Sequence, residues 1–187
     1  RGAFKGLNQL TDITLPFVGN KRTSTEYTGV FGYIFDYVNY SVSNAINQYD
    51  NRWYYIPQTI KNITITGDTT IPAYAFKNCS FAESITIPDS VTSIGAYAFQ
   101  NCSNITTIKI PSSITKINEY CYYGCSKLTN VTIPETVTAI GDYAFYGCKS
   151  FDEIVLPKAL KTIGEYAFQD CSEIIEITVP DSVESIG

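Results

Sequence analysis

The strongest constraint on this chain is a 23-residue period. Cys79, Cys102, Cys125, Cys148 and Cys171 stand at that interval, and Pro88, Pro111, Pro134, Pro157 and Pro180 keep it too. Two columns in one period mean a chain of equivalent units, and such units fold by stacking on one another rather than around a single centre. From residue 84 the units read SITIPDSVTSIGAYAFQNCSNIT, TIKIPSSITKINEYCYYGCSKLT, NVTIPETVTAIGDYAFYGCKSFD and EIVLPKALKTIGEYAFQDCSEII.

In Ile-x-Ile the apolar side chains fall two apart and share one face of a short strand. The proline that follows has no N–H and ends the ladder, so each unit has one brief strand. The column Gly95, Gly141, Gly164 and Gly187 predicts a turn of unusual φ, with Asn118 and Pro72 in equivalent places. After it, x-Tyr-Ala-Phe-x-x-Cys puts Ala98, Phe99 and Cys102 on one side of a short helical or 3₁₀ turn. A unit this small cannot bury enough apolar surface alone. Stacked coils bury both faces of each repeat, giving an α/β solenoid whose parallel strands lie about 4.8 Å apart.

The motif I-x-I-P-x-x-V-x-x-I-G-x-Y-A-F-x-x-C resembles the BspA-like leucine-rich repeat, the Treponema pallidum type found on surface and secreted proteins. The resemblance runs through residues 62–187 and again through 1–16. It departs at Cys121-Tyr122, where Ala-Phe is expected, and at Leu7, where Cys is expected; both exchanges are apolar. It implies a leucine-rich-repeat solenoid used in adhesion or surface display, extracellular or at the cell surface, with no catalytic residues to carry over and no cofactor.

Seven to eight coils are expected in one solenoid unit, 1–187, divided into the back part of a coil (1–16), an insertion with a degenerate repeat (17–61) and regular repeats (62–187). Thr66 stands at the proline position, more than two periods beyond Pro16. Either one segment is spliced into a coil, or two degenerate coils lie there. Joining Gly187 to a following Arg1 would set Pro180 and the next Pro16 one period apart. With Ala3 and Phe4 these residues form a candidate junction between units, and copies of the chain itself are the expected partner, end to end. Of 26 aromatics, ten fall between Tyr27 and Tyr55. Tyr37, Tyr40, Tyr49, Trp53, Tyr54 and Tyr55 are therefore candidates for binding a host protein or glycan, or for contact between units.

Composition narrows the function classes. There is no histidine, which removes the commonest general base and metal ligand. A net charge of −5 argues against nucleic acid. No apolar run is long enough to span a bilayer as a helix. The cysteine column reads as a buried ladder of small side chains, because equivalent side chains in stacked coils point the same way; a Cys121–Cys125 bridge would need a distorted turn. Metal and catalytic sites are expected to be absent, and the chain is read as no enzyme. Sequons at Asn39, Asn62, Asn78, Asn101, Asn104 and Asn130 are candidate glycosylation sites. An outward row, Thr14, Thr64, Thr86, Lys109, Thr132, Val155 and Thr178, is expected on the solvated strand face. The reading is a structural repeat unit of a solenoid fibre, or alternatively a surface adhesin.

Overall fold

The computed structural model describes residues 2–19, 30–38, 45–49 and 52–187. Its backbone is a solenoid of short parallel strands. Strand β1 (Asp12–Leu15) pairs with β5 (Asn62–Ile65), and β5 pairs with β7 (Ser84–Thr86). Further along, β9 (Thr107–Lys109) pairs with β11 (Asn130–Thr132). Alternation places Ile85 and Ile87 inside with Thr86 outside, and Pro88 then ends the strand. The outward row is solvated as expected, with Thr64 only half-exposed.

Each regular coil carries a second, two-residue strand beyond the proline. β6 (Thr70–Ile71) pairs with β8 (Ser93–Ile94), and β10 (Lys116–Ile117), β12 (Ala139–Ile140), β13 (Thr162–Ile163) and β14 (Ser185–Ile186) form a four-stranded ladder. Sequence periodicity indicates one strand per unit; the second is made by the Val-x-x-Ile segment, whose isoleucines from Ile71 to Ile163 are buried in the core.

The register settles the spacing around the insertion. Leu15 lies opposite Ile65, so β1 and β5 are direct neighbours although the whole insertion lies between them in the chain. One coil is lengthened; a second strand of this sheet is not interposed. Ile63 lies opposite Ile85, which makes the next coil one residue short and confirms that Thr66 sits where the others have proline. The lengthened coil contains a 3₁₀ turn (Phe31–Ile34) and an antiparallel sheet in which β4 (Arg52–Tyr54) lies between β2 (Tyr37–Val38) and β3 (Ile46–Tyr49).

The expectation of a helical turn after the glycine column needs correction. Among the described residues Phe31–Ile34 is the one helical element, and the Tyr-Ala-Phe segments are turns. The cause is two left-handed residues per coil. Tyr74, Tyr97, Tyr120, Tyr143 and Tyr166 have φ between 53° and 62°; Asn78, Asn101, Gly124, Gly147 and Asp170, at the fourth position after each, have φ between 58° and 70°. A right-handed helix cannot pass through either position. Backbone amides between them alternate in direction. Lys77 N donates to Tyr74 O and Cys79 N to Phe76 O within the turn, while Tyr74, Phe76 and Asn78 donate to Ala96, Ala98 and Gln100 of the next coil. The pattern recurs at Tyr97, Phe99 and Asn101, at Tyr120, Tyr122 and Gly124, and at Tyr143, Phe145 and Gly147. The turn row is thus a third ladder joining coil to coil.

The glycine column is also not where the unusual φ lies. Gly95, Gly141, Gly164 and Gly187 are absent from the positive-φ residues; the coils approach too closely there for a side chain. A Cβ on Gly141 would come within 2.7 Å of Glu119 N. The stacks of aromatic rings follow the same period: Phe76, Phe99, Tyr122, Phe145 and Phe168 inside, with centroids 5.3 to 5.5 Å apart, and the five tyrosines at the surface, 4.7 to 4.9 Å apart. Each such pair contributes about 0.5–1.5 kcal/mol beyond burial.

Candidate interaction surfaces

The six cysteines are free and buried. The thiols also have a role that no spacing in the sequence announces. Cys102, Cys125, Cys148 and Cys171 donate to the carbonyls of Phe76, Phe99, Tyr122 and Phe145, 3.1 to 3.2 Å away in the preceding coil. Cysteine here is a small side chain with one donor, tying each turn to the one before it. Burial pushes the Cys171 thiol up to about 11 and the deeper thiols further, so they stay protonated. Among the described residues no group of three metal-ligating side chains assembles, and no helix is long and apolar enough to cross a membrane.

The aromatic candidates of the insertion separate. Tyr54 is buried, its ring over Gly32, where an added Cβ would meet Tyr54 Cβ at 2.5 Å. It is a core residue and offers no surface, the last position of β4 being the buried one. Tyr49 is half-buried, set edge-on at 5.0 Å to Tyr74, and extends the tyrosine stack by one ring. Trp53 pairs in register with Val38 and Asn47 and is half-buried. Tyr55 is exposed. Tyr37 lies in β2, and Tyr40 lies outside the described residues.

What the insertion supplies most clearly is an edge for the first regular turn. Gln48 is buried and accepts from Gly32 N at 2.6 Å through Oε1. Its Nε2 reaches Lys77 O at 3.2 Å, Ala75 O at 3.4 Å and Cys79 Sγ at 3.2 Å. Phe31 N also donates to Ala75 O. Asn78 donates to Asn47 O, and Asn101 to Asn78 Oδ1. The sequons at Asn78 and Asn101 are therefore occupied structurally, their amide groups held in a ladder. Asn62 is exposed but donates to Asp12 at 2.7 Å. Asn104 is half-buried, Asn130 lies in β11, and Asn39 lies outside the described residues.

At the candidate junction, Gly187 and Ala3 are exposed, Phe4 packs at 6.2 Å from Phe35, and Arg1 lies outside the described residues. Residues 2–7 repeat the geometry of a regular turn. Gly2 and Gly6 take the two left-handed positions, Lys5 N donates to Gly2 O and Leu7 N to Phe4 O. At the opposite end the core columns are uncovered. Ile177, Val179 and Ile186 are 41%, 41% and 62% exposed, against 7%, 6% and 7% for Ile154, Leu156 and Ile163 one coil earlier.

Short parallel strands stacked at a 23-residue interval, with an apolar interior and hydrogen-bonded turns opposite, define a leucine-rich-repeat solenoid. A family model described as the BspA type leucine rich repeat region matches residues 69–187 in six copies, and the chain belongs to that family. Among solved structures it is similar to a leucine-rich repeat protein from Bacteroides ovatus (31% identity, TM-score 0.58), with 76% of this chain and 33% of that one covered. It is similar also to a leucine rich cell surface protein from Faecalibacterium prausnitzii (27%, 0.62), covering 95% and 48%. The T. pallidum leucine rich repeat protein shares the fold at 24% identity, with a TM-score of 0.61 over 67% and 68%. This chain spans about a third of the length of the Bacteroides ovatus protein. No curated protein matches it.

Proposed function

We propose that the chain is a non-catalytic, extracellular structural repeat, one unit of a solenoid fibre continued end to end in the same register. The observation that carries this reading is that residues 2–7 have the geometry of a regular turn while Ile177, Val179 and Ile186 continue, in register, the core columns of Ile154, Leu156 and Ile163. Polar groups match this register. In the turn ladder an amide donates to a carbonyl of the following coil, as Phe145 does to Ala167. With a second copy following Gly187, the Phe168 amide meets the second copy's Ala3 carbonyl and the Asp170 amide that of its Lys5. The turn at Gly2 and Gly6 already has the required left-handed geometry. Residues 17–61 interrupt this unit without forming a domain, and seven to eight coils would advance a fibre by about 34–38 Å per unit. Similarity to a protein of the cell surface supports the placement outside the cell.

A tandem protein made by joining Gly187 directly to Arg1 of a second copy tests the reading. It is expected to unfold in one transition at a higher denaturant midpoint than the single unit, because the junction buries Ile177, Val179 and Ile186. Two independent transitions, or no gain in midpoint, would overturn it. Display of the exposed Tyr55 and the threonine row to a host protein or glycan is the second reading, favoured by their solvent exposure.

A further inference from the structure

Charge is distributed unevenly along the solenoid. Residues 162–187 hold six acidic side chains, Glu165, Asp170, Glu173, Glu176, Asp181 and Glu184, and no lysine or arginine. All six are exposed. Residues 1–22 hold four basic side chains, among them Arg1 and Lys5, against the single acid Asp12. The chain carries −5 overall, so two copies repel at a distance, and the local signs decide only within a Debye length, about 8 Å at physiological ionic strength.

Inside the solenoid, charge is matched from coil to coil. Lys61 Nζ lies 2.8 Å from Glu83 Oε1 and Lys161 Nζ 2.8 Å from Glu184 Oε1, in each case one coil on, and Lys109 meets Asp89 at 2.7 Å. One column departs from this pattern. Glu119, Asp142 and Glu165 stand at the same place in consecutive coils, and all three line a groove of about 630 Å³. Like charges facing one another at coil spacing oppose stacking. The Asp142 carboxylate is partly compensated, its Oδ1 accepting from Glu165 N at 2.9 Å.

The first turn of the chain supplies the next member of that column. Gly2 takes the first left-handed position of a regular turn, the place Tyr166 holds in the last one. The residue before Tyr166 is Glu165, and the residue before Gly2 is Arg1, itself outside the described residues. A following copy in the proposed register therefore ends the row of three carboxylates with a guanidinium. Its Lys5, paired at 2.8 Å with Asp36 of its own copy, stands level with Gln169 and next to Asp170.

We infer that the acidic last coil recognises a second copy of this chain by charge, Arg1 of the following copy pairing with Glu165 and closing the row of Glu119, Asp142 and Glu165. Resting on the end-to-end reading, this pairing adds what selects polarity and register. Two acidic coils set face to face, or two basic first turns, bring like charges together, and a slip by one column takes Arg1 off Glu165.

A charge swap in the tandem protein that joins Gly187 to Arg1 is the test, with unfolding in urea so that the denaturant adds no salt. The quantity read is the gain in stability of the tandem over the single copy carrying the same substitution, because Glu165→Lys also relieves Asp142 within its own copy. Glu165→Lys in the first copy and Arg1→Glu in the second are each expected to lower the junction's equilibrium constant about two- to fivefold, and the two together to restore it. The loss shrinks as sodium chloride is raised from about 0.05 M to about 0.5 M. A tandem that unfolds in one raised transition but is indifferent to these variants, a double swap no better than its parts, or a loss that salt leaves unchanged overturns the pairing and leaves the fibre standing. Two independent transitions overturn both.

Discussion

The regular coils and the lengthened coil present the same edge to their neighbours by different means. From Tyr74 to Gln169 the turn ladder is backbone to backbone, alternate amides reaching carbonyls of the following coil. In the lengthened coil the Phe31 amide keeps one such bond, and the Gln48 side chain takes over the next, donating to Lys77 O. Tyr49 continues the surface ring stack, while Phe31 and Phe35 continue the inner one between Phe4 and Phe76. A repeat can therefore be interrupted by unrelated chain if its hydrogen bonds and ring stacks are carried across. What cannot be interrupted is the strand register, and β1 meets β5 directly.

The largest effect should come from the interior of the regular coils. Phe145→Ala removes a ring stacked on both Tyr122 and Phe168 and is expected to cost about 3–5 kcal/mol in denaturant unfolding. A loss no greater than that of the exposed Lys127→Ala would mean that the regular coils are not held by their core columns.

Gln48→Ala tests the lengthened coil in the same way. The Gly32 amide loses its buried acceptor and the Lys77 carbonyl its donor, a cost of about 1–3 kcal/mol. If stability is unchanged, the insertion does not support the first regular turn, and the parallel between the two regions breaks.

Two glycines sharpen the distinction between close approach and backbone conformation. Gly141→Ala places a Cβ against the backbone of Glu119 and is expected to cost about 1–3 kcal/mol by overpacking. Gly147→Ala, at φ 70° with its nearest neighbour 3.9 Å away, is expected to cost about 1 kcal/mol or less from strain alone. The reverse order of melting temperatures would mean that conformation, and not coil spacing, governs the Gly141 column.

The smallest effect should be a gain. Tyr122 stands among phenylalanines of the inner stack, and among the described residues its buried hydroxyl has no hydrogen-bond partner, with the Cys121 thiol as a weak polar neighbour. Tyr122→Phe is expected to leave stability unchanged or raise it by up to about 1 kcal/mol. A clear loss would show that the hydroxyl has a stronger partner than a thiol.

The repeat interval alone determined the solenoid, the inward isoleucines, the buried cysteines and the ends of the strands, because each follows from a residue type recurring at one place in every coil. It also carries a signal for the turns. Asn78, Asn101, Gly124, Gly147 and Asp170 are a column of the residues that best tolerate a left-handed backbone. Tyrosine at the other left-handed position carries no such signal, since its conformation is fixed by the ring stack and by the amide bond to the next coil. The role of Gly141 and its column, the thiol bonds to preceding carbonyls and the inward turn of Tyr54 were likewise decided only in three dimensions. Each depends on what lies in the adjacent coil, roughly one period away along the chain, and in the lengthened coil further still, where no period in the sequence says which residues will meet.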